Sequence, residues 1–396
     1  MLQSEGPVYT TEAVAEVFAG LADDWERLAL RRETPVVRHA WLAAVMACQH
    51  LDADWCLILI PDQGRLAAGA LLHSRRIYGI KTWAVLADDT PGAMVWRDGP
   101  ALARLIAALL DWKKPLAIRG FDSGGVLRDL LGRQPKPPGL RLFRPGRMVH
   151  SLTLGGSWET FLSRLPARRR KQLRRKKAKA ESLGCLTFEA LRPNVTDAEE
   201  LFSRFCRLED KGWKASQAVS IQQSPDYRRF WESIALAASA ENRLRFFELR
   251  IGNRLAAGHF AIVEANRLWG LKIAYDPDFS ACSPGLLLDE AVLRHALETG
   301  LRTYEFMGDA EPWEAFWEPA LRRYELLRFY PATLKGLLVL AADSLAHVRK
   351  AMDLWRKTIS LRRAEAHHAS GGPDDGAERS GTKTGPVAGQ PTRTPT

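Results

Sequence analysis

Short alternating runs of apolar and polar residues dominate the second half of the chain. "LRFFELRIGNRLAAGHFAIVEANRLWGL" (244–271) reads as strand, turn at Gly-Asn, strand, turn at Ala-Asn and strand. The third strand is predicted over 267–276. Beyond it, Leu287, Ala291, Leu293 and Leu297 fall at helical spacing, predicting a helix over 284–300 with Gly300 as its C′ residue. A strand follows at 302–308. Strand, helix, strand at this length predicts a parallel crossover.

The same order occurs earlier. "WCLILIPDQGRLAAGALLHSRRIYGI" (55–80) aligns with 244–271, and both copies contain Arg-Leu-Ala-Ala-Gly, beginning at Arg65 and at Arg254. A helical pattern precedes each copy, "AWLAAVMACQHLD" in the first and "DYRRFWESIALAASAEN" in the second. "TWAVLADDTPGAMVW", "ALARLIAALLDW" and "PLAIRGFD" then repeat the strand, helix, strand ending with weaker signals. The expectation is an α/β (α+β) chain of two related halves, 1–150 and 151–332, each a helix followed by an antiparallel meander and a crossover.

From Leu334 the period changes. Leu334, Leu338, Ala341, Leu345, Val348, Met352, Trp355 and Ile359 alternate spacings of four and three, predicting a long helix over 333–366 with a heptad-like seam. Such a seam can pack on its own domain, pair with a second copy or lie on a membrane surface. Residues 367–396 are rich in Gly, Pro, Ser and Thr without apolar period, and are expected to be disordered.

The net charge of +11 adds that partners should be acidic: nucleic acid, anionic lipid or a phosphorylated cofactor. Much of this charge sits in "ARRRKQLRRKKAKAESLG" (167–184) and near the C-terminus. In the basic run Leu165, Leu173 and Leu183 offer a thin apolar side, so a solvated helix face is expected, with contact to an anionic acceptor or to cofactor phosphates as the alternative. No run approaches the ~20 apolar residues of a membrane helix, and the first residues carry no basic-then-apolar signal, so a cytoplasmic location is the expectation. Cys48, Cys56, Cys185, Cys206 and Cys282 form no C-x-x-C pair and have no histidine at ligand spacing, so no metal is expected.

Candidate chemistry gathers around "YDPDFSACSPGLLLDE" (275–290). Ser283 suits a helix N-cap and Pro284 the first turn, so the loop either caps a helix or presents free N–H groups and the positive helix end to an anion. Asp276, His259 and Glu209 are candidate general bases. For each there is an ordinary alternative: a turn starter, a core histidine and a helix end. Glu209 shares a helix face with Trp213. Tyr304 is a candidate acid for a leaving group, and Asp309 flanks the same strand.

The order of these elements resembles the GNAT acyltransferase fold. The wording "LKIAYDPDFSACSPGLLL…GLRTYEFMGDAEPWEAFW", the basic helix, "LEDKGWKAS" (208–216) and "LRFFELRIGNRLAAGHFAI" resemble the CelD/BcsL-type acetyltransferases annotated for cellulose biosynthesis, themselves related to the FemAB aminoacyl-transferases. The resemblance covers roughly residues 25–330. It implies a tandem GNAT-like protein that moves an acyl group from acetyl-CoA or another acyl-CoA, without a metal, to an amine or hydroxyl of a small-molecule or saccharide acceptor such as a surface-polymer precursor. It further implies cofactor contacts at Ser283, Gly285, Leu286 and Leu287, and acceptor contacts at Trp213, Lys214, Lys272 and Asp309. This loop departs from the glycine-rich form in holding only Gly285, and Glu314 stands where relatives commonly show a lysine. The FemAB relation implies charged tRNA as an alternative donor, and a non-catalytic scaffold built on the heptad helix is the third reading.

Overall fold

Both copies of Arg-Leu-Ala-Ala-Gly open the middle strand of a meander. In the computed structural model, which describes residues 6–49, 52–86, 92–133, 138–212 and 220–370, the first meander is β2 (Trp55–Asp62), β3 (Arg65–Ile77) and β4 (Ile80–Val85). A short β1 (Val8–Thr10) pairs with β2, and β5 (Met94–Trp96) pairs with β3. β6 (Leu116–Asp122) joins β4 in parallel. The long β7 (Gly139–Thr153) leads to the second half, whose first strand is β8 (Leu186–Leu191). The second meander is β9 (Leu244–Ile251), β10 (Arg254–Glu264) and β11 (Arg267–Tyr275), and β12 (Thr303–Phe306) joins β11 in parallel. β13 (Ala320–Pro331) pairs antiparallel with both β6 and β7.

One 13-stranded sheet results, in the order β1-β2-β3-β4-β6-β13-β7-β12-β11-β10-β9-β8. The expected meander and parallel strand are therefore present in both halves, while β5 on β3 has no counterpart on β10 among the described residues. Its joining is what the sequence pattern left open: β7 and β13 sit side by side between β6 and β12 and fuse the halves into a continuous sheet.

Helices cover both faces. The helices before the last strand are α1 (Val14–Ala19), α2 (Ala22–Ala29), α3 (His39–Cys48), α4 (Gly99–Asp111), α5 (Val126–Arg133), α6 (Trp158–Arg164), α7 (Ala167–Glu181), α8 (Val195–Glu209), α9 (Pro225–Ala240) and α10 (Pro284–Glu298), and α11 (Leu334–Ser370) follows β13 in the chain. Leu57, Leu59, Phe260 and Ile262 bury against α2, α3, α8 and α9 in a core shared by both halves, where Trp41 meets Phe230 and Trp231 edge-on at 5.5 and 5.8 Å. On the opposite face, Ile58 and Ile60 bury under α4, and Ala257, Ala261 and Leu268 bury under α6, α7 and α10. Alternation along each strand thus feeds two different cores.

The repeated pentapeptide has a packing reason. A Cβ on its glycine would meet Trp25 of α2 at 2.9 Å in the first copy (Gly69) and Leu208 of α8 at 3.1 Å in the second (Gly258). In each half that glycine lets a helix approach the sheet. The halves are also tied by charge. The buried Arg38 donates to Glu264 at 2.8 Å and pairs with Glu26 and Glu241, while Arg243 reaches Glu264 at 3.0 Å.

The second compact unit, Asp343–Thr396, contains the remainder of α11, which runs to Ser370, four residues beyond its expected end. The expected tail from 371 onward lies outside the described residues.

Candidate active site

β11 and β12 pair for only four residues, Arg267 to Gly270 against Thr303 to Phe306, after which β11 continues to Tyr275 paired with β10. Where they part, β11 is bulged. Phe260 of β10 faces Lys272 and Ala261 faces Gly270, leaving Leu271 as the extra residue. The bulge turns Leu271 and Lys272 to the same side: Leu271 joins the α8/α9 core, and Lys272 donates to Tyr227 Oη of α9 at 2.7 Å, its ammonium 4.9 Å from the Trp231 ring. β12 ends at Phe306, so among the described residues no strand pairs with that edge of β11 beyond Gly270.

The N-terminus of α10 sits beside the end of β11 that extends past β12. A Cβ on Gly285 would lie 3.9 Å from Tyr275 and 4.0 Å from Ile273, both on the free end of β11. The expected direct strand-to-helix loop is instead a 3-10 turn, Pro277–Cys282, N-capped by Asp276. That turn delivers Ser283 in the left-handed region, φ 54° and ψ 64°, so Ser283 occupies the cap position while its side chain caps nothing. A side-chain cap needs extended backbone, and Ser283 does not have it. Leu287 N–H bonds the Ser283 carbonyl, whereas the N–H groups of Gly285 and Leu286 belong to the first turn, which has no partner within the helix. At the far end Gly300, with φ 77°, closes the helix as predicted: Gly300 N–H bonds Leu297 and Leu301 N–H bonds Ala296.

The basic helix borders the same loop. α7 carries nine Lys and Arg among residues 167–181, and Lys176 Nζ donates to the carbonyl of Ala281 at 2.8 Å. Leu165, Leu173 and Ala180 are buried and anchor it. Leu183, expected on that apolar side, is exposed, because α7 ends two residues earlier.

Asp276 is buried, and Lys211 Nζ and Arg254 Nη2 donate to it at 3.0 and 3.1 Å. Burial alone would raise its carboxyl, but the bonds from Lys211, the Asp278 N–H and Arg254 outweigh that and hold it below the usual carboxylate range. It is the anchor of an ion cluster at the loop's start. Glu209, also buried, accepts from the Ile221 N–H at 2.8 Å. Trp213 and Lys214 lie outside the described residues. Asp309 is exposed, 3.6 Å from Arg147.

Beneath α10 lies a buried polar cluster. His259 of β10 and Tyr304 of β12 meet at 3.5 Å. Burial pushes the imidazole down to about 3, so the ring is neutral, and His259 Nδ1 has no hydrogen-bond partner. The Tyr304 hydroxyl is raised well above its ordinary value by burial and by the nearby Asp289 and Glu314 carboxyls. Asp289 of α10 is fully enclosed, and burial lifts it to about 8. The Trp317 indole is the nearest group favouring its charged form, yet neither Asp289 oxygen nor Trp317 Nε1 completes a hydrogen bond. Glu314 accepts from the Glu311 N–H at 3.0 Å and lies 2.7 Å from His150 Nδ1, but burial still raises it. Glu314, where the resemblance leads one to expect a lysine, is thus inside the protein, partnered by a histidine of β7.

The sequence reading named His259 and Tyr304 separately, and did not name Asp289, His150 or Trp317. Asp289 was legible as an acid on the same helical face as Leu293 and Ala296, otherwise an apolar stripe. His150 arrives through β7, whose place beside β12 no local pattern specifies. Among the described residues no group of three or more His, Cys, Asp or Glu is placed to hold a metal.

With this geometry in hand, residues 167–315 match the family model of the acetyltransferase (GNAT) domain. That segment, running from α7 through α10 and β12 to Ala315, carries a GNAT acetyltransferase domain. About three quarters of the chain folds like FemX, with a TM-score of 0.52 at 12% identity over 76% of this chain and 95% of FemX. It also folds like the C-terminal DUF2156 domain of a protein named as a lysylphosphatidylglycerol synthetase from Agrobacterium fabrum, with a TM-score of 0.50 at 12% identity over 83% and 97% of the two chains. No curated protein matches the sequence.

Proposed function

We propose that the chain is an acyltransferase that takes its acyl group from acyl-CoA and delivers it to an amine or hydroxyl, on a saccharide or surface-polymer precursor. The GNAT domain supports acyl transfer. The observation that carries the donor reading is the convergence of the α10 N-terminus, the free end of β11 and the cationic α7 at one loop. The Gly285 and Leu286 N–H groups and the positive end of the helix dipole would hold the cofactor's pyrophosphate, with the lysines and arginines of α7 flanking it. Gly285 fits such a role, since its missing side chain leaves the backbone approachable. The cofactor supplies an activated thioester. The edge of β11 that extends past β12 would align thioester and acceptor, which is the larger part of what acyl transfer requires. Asp276, held ionised by two cations, would fix the loop rather than take a proton.

A second donor, aminoacyl-tRNA, is favoured by the number of cations on α7, more than one pyrophosphate needs, and by the fold shared with FemX. Calorimetric titration of acetyl-CoA and of free CoA separates the two. Micromolar binding, abolished by Gly285→Asp, is expected for a CoA donor. An aspartate in the first turn of a helix favours the helix, so lost binding would report repulsion of the phosphates. Binding of charged tRNA with none of CoA would move the assignment to aminoacyl transfer.

A further inference from the structure

The candidate bases named from the sequence are engaged or enclosed. Asp276 is held by Lys211 and Arg254, Glu209 accepts from the Ile221 N–H, and His259 is buried beneath α10. A different histidine stands at the level where β12 ends. β7 pairs with β12 as Leu152 to Tyr304 and Ser151 to Glu305, so the next position sets His150 beside Phe306, their ring centroids 6.5 Å apart. Phe306 is in turn the partner of Gly270, the last residue of β11 that β12 covers. Gly270, Phe306 and His150 thus lie at one level across three strands, and the His150 backbone is about 10 Å from the start of the open β11 edge. Opposed residues share a face, so His150 lies on the α10 side of the sheet with Phe306 and Tyr304. Beyond Phe306 the chain stays with β7, where Ala310 N–H bonds the Met148 carbonyl at 2.8 Å.

The ring is held from one side only. Its Nδ1 lies 2.7 Å from Glu314 Oε2, and Glu314, 3% exposed, also accepts the Glu311 N–H at 3.0 Å. The imidazole is 14% exposed, and Glu314 is its one hydrogen-bond partner among the described residues, which leaves Nε2 available. We propose that His150 is the base of the acyl transfer and Glu314 the residue that positions it, a proposal that rests on the acyl-CoA reading above. His150 Nε2 takes the N–H or O–H proton as the acceptor's electron pair joins the thioester carbonyl carbon. The carbon–sulfur pair leaves with sulfur, and the imidazolium returns the proton to that thiolate. Charge favours the uptake. A neutral imidazole beside a buried carboxylate carries one net negative charge, and the proton makes the pair neutral, the state that burial prefers.

The test uses bromoacetyl-CoA on the full chain, with calorimetric titration of acetyl-CoA alongside. A base at this place meets the CH2 carbon of the reagent, so Nε2 displaces bromide and peptide mass spectrometry finds the adduct on His150. His150→Gln should lose that adduct, and thiol release from acetyl-CoA with water as acceptor should fall about a hundredfold. Glu314→Gln keeps the size of the side chain and should slow alkylation of His150 about tenfold or more. Acetyl-CoA affinity should be unchanged in both variants, which also reports that they fold. The proposal is overturned if the parent binds acetyl-CoA yet the adduct lies elsewhere or forms nowhere. Equal thiol release by the parent and His150→Gln would overturn it too, as would a Glu314→Gln protein alkylated as fast as the parent. A parent that binds no acetyl-CoA would remove the donor reading itself, and this proposal with it.

Discussion

The imidazole of His259 and the hydroxyl of Tyr304, on strands separated by β11, meet at 3.5 Å because the residue between them is Gly270. A Cβ at Gly270 would come 2.8 Å from His259 Nε2 and 3.0 Å from Tyr304 Oη. Both neighbours are buried rings with no solvent to retreat into, so Gly270→Ala must displace one of them. The expected cost is about 1–3 kcal/mol in denaturant unfolding, whereas Gly285→Ala, with nothing nearer than 3.9 Å, should cost less than half as much. Equal costs at the two positions would mean that the His259–Tyr304 contact is not close-packed.

Asp289 makes the stability of the protein depend on pH with an unusual sign. Its folded carboxyl titrates at about 8 and an unfolded one near 3.8, so between those values the folded state holds a proton that the unfolded state has lost. Stability from this group therefore falls as pH rises. His259, neutral in the fold down to about 3, acts oppositely, adding stability as pH rises toward 6.5. The two separate above pH 6.5, where the histidine contribution is complete. Between pH 6.5 and 8 the Tm of the parent should decline, and that of Asp289→Asn should decline less. Parallel Tm curves for the two proteins in that window would show that Asp289 is ionised in the fold.

The strand order within each half was legible because a half-buried meander writes period-2 alternation into its sequence, and the duplication wrote it twice. The α10 boundaries were legible for a local reason too, with Pro284 at the start and Gly300 in the left-handed region after the end. What failed to show was whatever depends on long-range pairing. β7 and β13 carry mixed patterns, being partly exposed, and only their pairing over Gly139 to Ser151 brings His150 to Glu314. Ser283 shows the same limit on a smaller scale. Its type and position fit an N-cap, but the preceding 3-10 turn decides its φ, and no propensity for serine encodes that turn.

Asp276 offers a cleaner separation of anchor from base. With its carboxyl held below the ordinary range by Lys211 and Arg254, it contributes stability that is present above about pH 4 and lost as pH falls through its folded value. Asp276→Asn should lower stability at pH 7 by about 1–3 kcal/mol, the usual worth of hydrogen bonds to a charged group. The gap from the parent should close in acid. A variant that keeps full stability at pH 7 but loses acyl transfer would reverse the assignment and make Asp276 the proton acceptor.

Ser283→Gly should strengthen both the fold and the site. A non-glycine residue at φ 54° carries a conformational cost of about 1 kcal/mol that glycine avoids. Because the Ser283 hydroxyl caps nothing, the replacement forfeits no hydrogen bond at the helix start. A gain of about 0.5–1 kcal/mol in unfolding free energy is therefore expected, reduced by the extra freedom glycine has in the unfolded chain. The same change removes a side chain beside the first-turn N–H groups of α10. If an anion docks there, its affinity measured by calorimetry should hold or rise. A gain in stability together with a clear loss of CoA affinity would instead place the Ser283 hydroxyl on the ligand.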